Sequence, residues 1–106
     1  MPELPEVEVT RMGIAPHIEG KKILKMQVRW PIDPRLPQYL KNATITATQR
    51  RGKYLIIHCT QENGRKGSLL IHLGMSGSLR IVAKNAAVQK HDHVDWVFDS
   101  HILRFH

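Results

Sequence analysis

From residue 44 onward apolar side chains fall at alternate positions in short runs, each closed by turn-forming residues, and that rhythm restricts the chain to an antiparallel β architecture. Residues 44–49 are β-branched, 54–59 place Leu55, Ile57 and Cys59 on one face, and 68–73 place Leu69, Ile71 and Leu73 on one face. Residues 78–82, 94–98 and 102–105 supply three further strands, the last two joined by a tight turn around Asp99-Ser100. Residues 61–67 read as a turn and 83–90 as a loop. Ahead of them, residues 22–30 read as a strand, the proline-rich 31–37 as a connector and 38–40 as a helical turn. A helix is predicted over residues 4–18, with Leu4, Val7, Ile14 and Ile18 on one stripe and Gly20 available to end it. About seven short strands and one N-terminal helix predict an antiparallel sandwich or barrel.

The 106 residues suffice for one domain with a modest core, and 42% hydrophobic content is adequate to pack it. No apolar run approaches the roughly 18 to 20 residues that cross a bilayer, and no signal-peptide pattern is present, so no membrane partner is expected. The lone Cys59 can form neither an internal disulfide nor a metal cluster, which points to a reducing compartment. Sixteen Lys and Arg against nine Asp and Glu give a net charge of +7, with a pI near 10.0. The charge is dispersed in clusters such as Lys21-Lys22, Arg50-Arg51 and Arg65-Lys66, which predicts a folded basic face for a polyanion, nucleic acid first.

The chain begins Met1-Pro2-Glu3-Leu4-Pro5-Glu6-Val7-Glu8. Removal of Met1 would leave Pro2 as a free secondary amine, a nucleophile for electrophilic carbon. Pro5 suits a first helical turn, and Glu3 and Glu6, three apart, share a face near that amine. The helix dipole lowers an ammonium pKa there while a close carboxylate raises it, and the sequence leaves the balance open. The alternative is an acidic first turn that only complements the dipole.

Three later segments carry further signals. In Gln49-Arg50-Arg51-Gly52-Lys53-Tyr54, a basic turn feeds a buried strand, with Gly52 allowing close backbone approach and Lys53 anchored to meet a phosphate or simply solvated. In Ile71-His72-Leu73-Gly74-Met75-Ser76-Gly77-Ser78, a loop between strands places Met75 at a tip, either as a wedge for a DNA stack or folded onto the core, with His72 at the strand's end. In Lys90-His91-Asp92-His93-Val94-Asp95, an extended backbone would put His91, His93 and Asp95 on one face. This segment resembles metal chemistry but lacks a structural zinc ligand set, and a phosphate-facing histidine is the expectation.

Taken together and in this order, the four segments resemble formamidopyrimidine-DNA glycosylase, over essentially the whole chain as that family's N-terminal domain. The related endonuclease VIII branch shares the Pro-Glu start, but the Met-Ser-Gly loop and the Lys-His-Asp-His segment fit the formamidopyrimidine branch better. The resemblance implies a mainly β fold with flanking helices (α+β): an antiparallel two-layer β-sandwich with an N-terminal helix. It implies a bacterial base-excision repair enzyme that removes oxidised purines, 8-oxoguanine and formamidopyrimidines, from double-stranded DNA and then cuts the strand.

Site residues follow by resemblance. Pro2 would attack C1′ and form an iminium ion, Glu3 would serve as acid/base at the sugar ring oxygen, and Lys53 joins them among the catalytic residues. Glu6 would organise the amine and the lesion. Lys53, His72 and His91 would hold phosphates, and Met75 would fill the vacated stack. The resemblance also implies a longer chain: an arginine and a phenylalanine that complete the void-filling set, a helix-two-turns-helix module and a four-cysteine zinc finger are not among these 106 residues. No metal or cofactor is therefore expected in residues 1–106, and zinc is expected in that finger. The expected state is a monomer in the bacterial cytoplasm, associated with the nucleoid, with self-association through an exposed apolar surface as an alternative. A domain that binds the DNA backbone without chemistry is the competing function, and it would survive loss of the Pro2 amine.

Overall fold

Helix α1 (Leu4–Ile18) buries Val7, Ile14 and Ile18 of the predicted stripe, joined by Ala15, while the Leu4 side chain lies outside what is described. The computed structural model describes residues 4–74 and 77–106. Gly20 ends the helix and donates its N–H to the Ile45 carbonyl at 2.7 Å, handing the chain to the edge of a sheet. The Glu19 carboxylate strengthens that join by accepting from the Thr48 N–H at 2.8 Å and the Thr48 hydroxyl at 2.7 Å. An edge donor is thereby capped instead of left to recruit another strand.

Seven strands follow: β1 (Lys25–Val28), β2 (Thr44–Arg51), β3 (Tyr54–Thr60), β4 (Lys66–His72), β5 (Leu79–Ala83), β6 (Val94–Val97) and β7 (His101–Phe105). A short helix α2 (Leu36–Leu40) lies between β1 and β2. The strands form a three-stranded sheet in the order β2-β3-β4 and a four-stranded sheet in the order β1-β6-β7-β5, with antiparallel pairing throughout. The fold is the two-layer sandwich with flanking helices that was expected. Helix α1 packs against the outer strands β2 and β5, and α2 packs against β1.

The first predicted strand is shorter than the 22–30 expected, for a physical reason. Lys22 bridges to Thr44 and the Ile23 N–H bonds the Ala43 carbonyl, so this stretch lines the edge of the three-stranded sheet. One residue later the Leu24 N–H bonds the Val97 carbonyl, and the chain has crossed to the other sheet. A single extended segment thus stitches the layers together. Between the layers lie Ile23, Ile45, Leu55, Ile57, Ile71, Trp96, Phe98 and Leu103, with Ile14 and Ile18 from α1. Cys59 is part of this core, and burial pushes its thiol up to about 11, which keeps it protonated and inert.

The outer face of the four-stranded sheet carries a buried ionic network. Asp95 on β6 is 1% exposed and directly opposes Arg104 on β7. Arg104 Nε donates to Asp95 Oδ1 at 2.8 Å and Nη2 to Oδ2 at 3.0 Å, while Arg29 Nη2 donates to Oδ2 at 2.8 Å. Arg104 also donates to the Ala87 carbonyl at 3.1 Å, which ties the loop of residues 84–92 across the sheet. Burial alone would raise the Asp95 carboxyl, but hydrogen bonds from Arg104 and Arg29 outweigh it and hold the group below its ordinary value. Asp92 is likewise held low, first by the Gln89 N–H at 2.7 Å, against burial, and then by His106 and Arg104. His91 sits in the turn before the strand, so the extended alternation that would align it with His93 and Asp95 does not reach it, and the Asp95 carboxylate is taken up by Arg29 and Arg104.

Two outcomes follow for stability. Leu103→Ala, at a fully buried position on β7, should cost about 2–5 kcal/mol in denaturant unfolding. Asp95→Asn should cost roughly 3–5 kcal/mol near neutral pH because Arg104 is left buried without its partner. The folded carboxyls of Asp92 and Asp95 lie below the unfolded value of about 3.9, so their contribution is complete above that value and lost as pH falls through the folded values. The difference between wild type and Asp95→Asn should accordingly shrink as unfolding is measured towards about pH 2.

Candidate nucleic-acid interface

Strand register brings the sequence-predicted segments to one end of the sandwich. Arg51 pairs with Tyr54 across β2 and β3, and Tyr54 pairs with His72 across β3 and β4. The Gly52-Lys53 turn therefore stands at the same end as His72 and the loop that follows it. Gly52 has φ 59, a left-handed conformation for which the two-residue turn requires glycine, and no heavy atom among the described residues lies within 4 Å of where a Cβ would stand. On the other sheet the Ser78 N–H bonds the His106 carbonyl at 3.1 Å and the His106 N–H bonds the Ser78 carbonyl at 2.9 Å. The His93 N–H bonds the Phe105 carbonyl at 2.9 Å, which fixes the Lys90–Asp95 segment at the same end.

Helix α1 starts at this end too. Glu8 Oε1 and Oε2 accept from Arg11 at 2.9 and 2.6 Å, and Glu8 lies 3.7 Å from Arg50 on β2. The Arg11 side chain holds the Glu8 carboxyl below its ordinary value. Glu6, two residues earlier and so about half a turn round the helix, is exposed. Lys53 is also exposed. Pro2, Glu3 and Met75 lie outside the described residues.

A cleft of about 540 Å³ opens among the ends of the strands, lined by Trp30, His72, Leu73, Gly77, His91, His93, Phe105 and His106. His72 and His91, chosen from sequence, meet here. Lys53 and Glu6 do not line it, and lie on the adjoining β2–β3 turn and helix face. Gly77 is required: a side chain in its place would run into the Leu73 carbonyl oxygen. The rings are ordered around the cleft, with Tyr54 5.3 Å from His72, His93 4.4 Å from Trp30, and His91 6.3 Å from His93 and 6.0 Å from His106. His106 Nδ1 meets the buried Asp92 Oδ1 at 2.9 Å, which orients that ring. His93 was weighed from sequence only as a partner of His91 and Asp95, and Trp30, Tyr54 and His106 were not singled out. Tyr54 stands inside a motif that was, while Trp30 and His106 have no local signal beyond an aromatic closing a predicted strand and a histidine after a strand.

The arrangement offers imidazoles, a lysine and arginines to phosphate oxygens, and aromatic faces to bases. Among the described residues no three His, Cys, Asp or Glu side chains converge to hold a metal ion.

The family model for the formamidopyrimidine-DNA glycosylase N-terminal domain matches residues 1–106. A formamidopyrimidine-DNA glycosylase of Bordetella avium is 52% identical over 111 aligned positions, covering 100% of this chain and 38% of that protein. One of Shewanella amazonensis is 50% identical, covering 99% of this chain and 39% of its own length. The chain thus spans under two-fifths of the relatives that it matches. Among solved structures, Lactococcus lactis Fpg bound to DNA with an abasic site superposes with a TM-score of 0.89 at 34% identity, over 98% of this chain and 39% of that one. The same enzyme with DNA containing N7-benzyl-Fapy-dG gives 0.86 at 34% identity, over 98% of this chain and 39% of that one. With its four motifs, its two-layer sandwich and a family model matched from first residue to last, this chain belongs to the formamidopyrimidine-DNA glycosylase family, as its N-terminal domain.

Proposed function

We propose that this chain is the catalytic N-terminal part of a base-excision DNA glycosylase with AP lyase activity, acting on oxidised purines in double-stranded DNA. The observation that carries the reading is the convergence of His72 and His91 on one cleft, beside the Gly52-Lys53 turn and the start of α1. Family membership supplies the chemistry. With Met1 removed, the Pro2 nitrogen attacks C1′ of the damaged nucleoside and loses its proton, the C1′–N bond breaks and the base leaves with a proton from the surroundings, and the C1′–O4′ bond then opens as the ring oxygen is protonated. The resulting iminium ion is an electron sink, and loss of a C2′ proton permits elimination of the 3′ phosphate. Glu3 acts at the ring oxygen, Glu6 organises the amine, and Lys53, His72 and His91 hold phosphates around the lesion. Met75 occupies the emptied stack.

The remaining DNA-gripping parts, including a zinc finger, belong to a longer protein, and its place of action is the bacterial cytoplasm and nucleoid. Among the described residues no helix is long and apolar enough to cross a membrane.

The test is borohydride trapping on an abasic-site duplex, with the adduct digested and weighed. An adduct at Pro2 is expected in protein whose mass shows Met1 removed, and none in protein that retains Met1. Full-length protein with a free Pro2 that binds the duplex without forming an adduct favours the backbone-binding domain instead. Lys53→Gln should weaken binding by a similar factor on every DNA sequence and reduce the log-affinity against log-salt slope by about 1.

A further inference from the structure

We infer that Trp30 is a stacking platform for an unpaired nucleobase of bound DNA, an inference that rests on the DNA-binding reading above. Trp30 is 55% exposed in a chain whose other tryptophan, Trp96, is 3% exposed. An indole left open to water in this way is placed for a partner more often than for the core.

The side chain is presented by an anchored backbone. Its neighbour Arg29 donates its N–H to the His93 carbonyl at 2.7 Å, its Nη1 to the Asp92 carbonyl at 3.2 Å and its Nη2 to the buried Asp95 at 2.8 Å. His93 then packs on the indole at 4.4 Å between centroids, with the rings inclined at 54°. The tilt supports the indole without covering it. Little ordering entropy remains to be lost when a planar ligand arrives.

The cleft selects the ligand class. Trp30 shares it with the apolar Leu73 and Phe105 and with His72 and His91, the residues assigned to phosphate. A planar apolar group tethered to anionic oxygens satisfies both halves of that lining, and the net charge of +7 favours a polyanion. A nucleotide whose base has left its stack has that chemistry, whereas a base inside intact duplex hides its face. Trp30 therefore adds affinity for DNA that carries an unpaired base, through stacking that every base can provide.

The experiment follows tryptophan emission and the anisotropy of labelled DNA together, for intact duplex and for duplex with one unpaired base. Wild type should bind the unpaired-base duplex more tightly, with quenched emission and reduced acrylamide access. In Trp30→Phe the quench should vanish while affinity is nearly kept. In Trp30→Ala affinity for the unpaired-base duplex should fall on the order of tenfold, bringing it to the intact-duplex value. Circular dichroism matching wild type would show that the exposed substitution leaves the fold in place. Binding with unchanged Trp30 emission, or equal affinity of Trp30→Ala and wild type for both duplexes, overturns the platform and leaves DNA binding standing. Absence of salt-dependent anisotropy change in wild type overturns the DNA reading itself, and the platform with it.

Discussion

The cleft depends on a pair of charges that never reach it. Asp95 and Arg104 face each other on neighbouring strands beneath the loop of residues 84–92, and Arg29 closes on the same carboxylate from just beyond the end of β1. Desolvating these charges is costly, and bidentate geometry with further bonds to Ala87 and the Asp92 carbonyl offsets that cost. The consequence is positional. Asp92, in the same network, sets the His106 ring, and the backbone on either side of it carries His91 and His93. Surface histidines that would otherwise sample many rotamers are thus borne on a rigid frame.

Under the proposed function, phosphate binding in such a cleft would divide the labour among residue types. Lys53 and the arginines of the β2–β3 turn carry permanent charge at the rim, while the imidazoles within the cleft gain charge only with a proton. Aromatic surfaces from Trp30, Tyr54 and Phe105 alternate with them. In the proposed DNA complex, charge would supply affinity without regard to sequence, and the flat apolar faces would distinguish a distorted strand from an intact one.

Local sequence made most of the fold legible. The period of two over residues 54–59 and 68–73 and the helical spacing of Val7, Ile14 and Ile18 are short-range signals, each contained within one element. The strand predicted over residues 22–30 exceeded its structural length because a crossing between sheets leaves no mark on an extended segment: either sheet edge accepts the same backbone hydrogen bonds. Asp95 misled for a related reason. Alternation places it relative to His93, but only the opposing strand brings Arg104 to claim it. His72, His91 and Lys53 could be named from motif residues and charge, while Trp30 and His106 became visible only as walls of a common cleft.

By itself the sequence determined the β-rich class, the N-terminal helix, the basic character and the family, because each is written in local periodicity, composition or contiguous motifs. The tertiary structure decided which of those motifs meet. Residues far apart along the chain share one end of the sandwich through strand register, and a one-residue slip in that register would send each side chain to the opposite face. It also decided that Asp95 supports the cleft and that Trp30 borders it, since both roles depend on long-range hydrogen bonds from Arg29 and Arg104 that no stretch of neighbouring residues encodes.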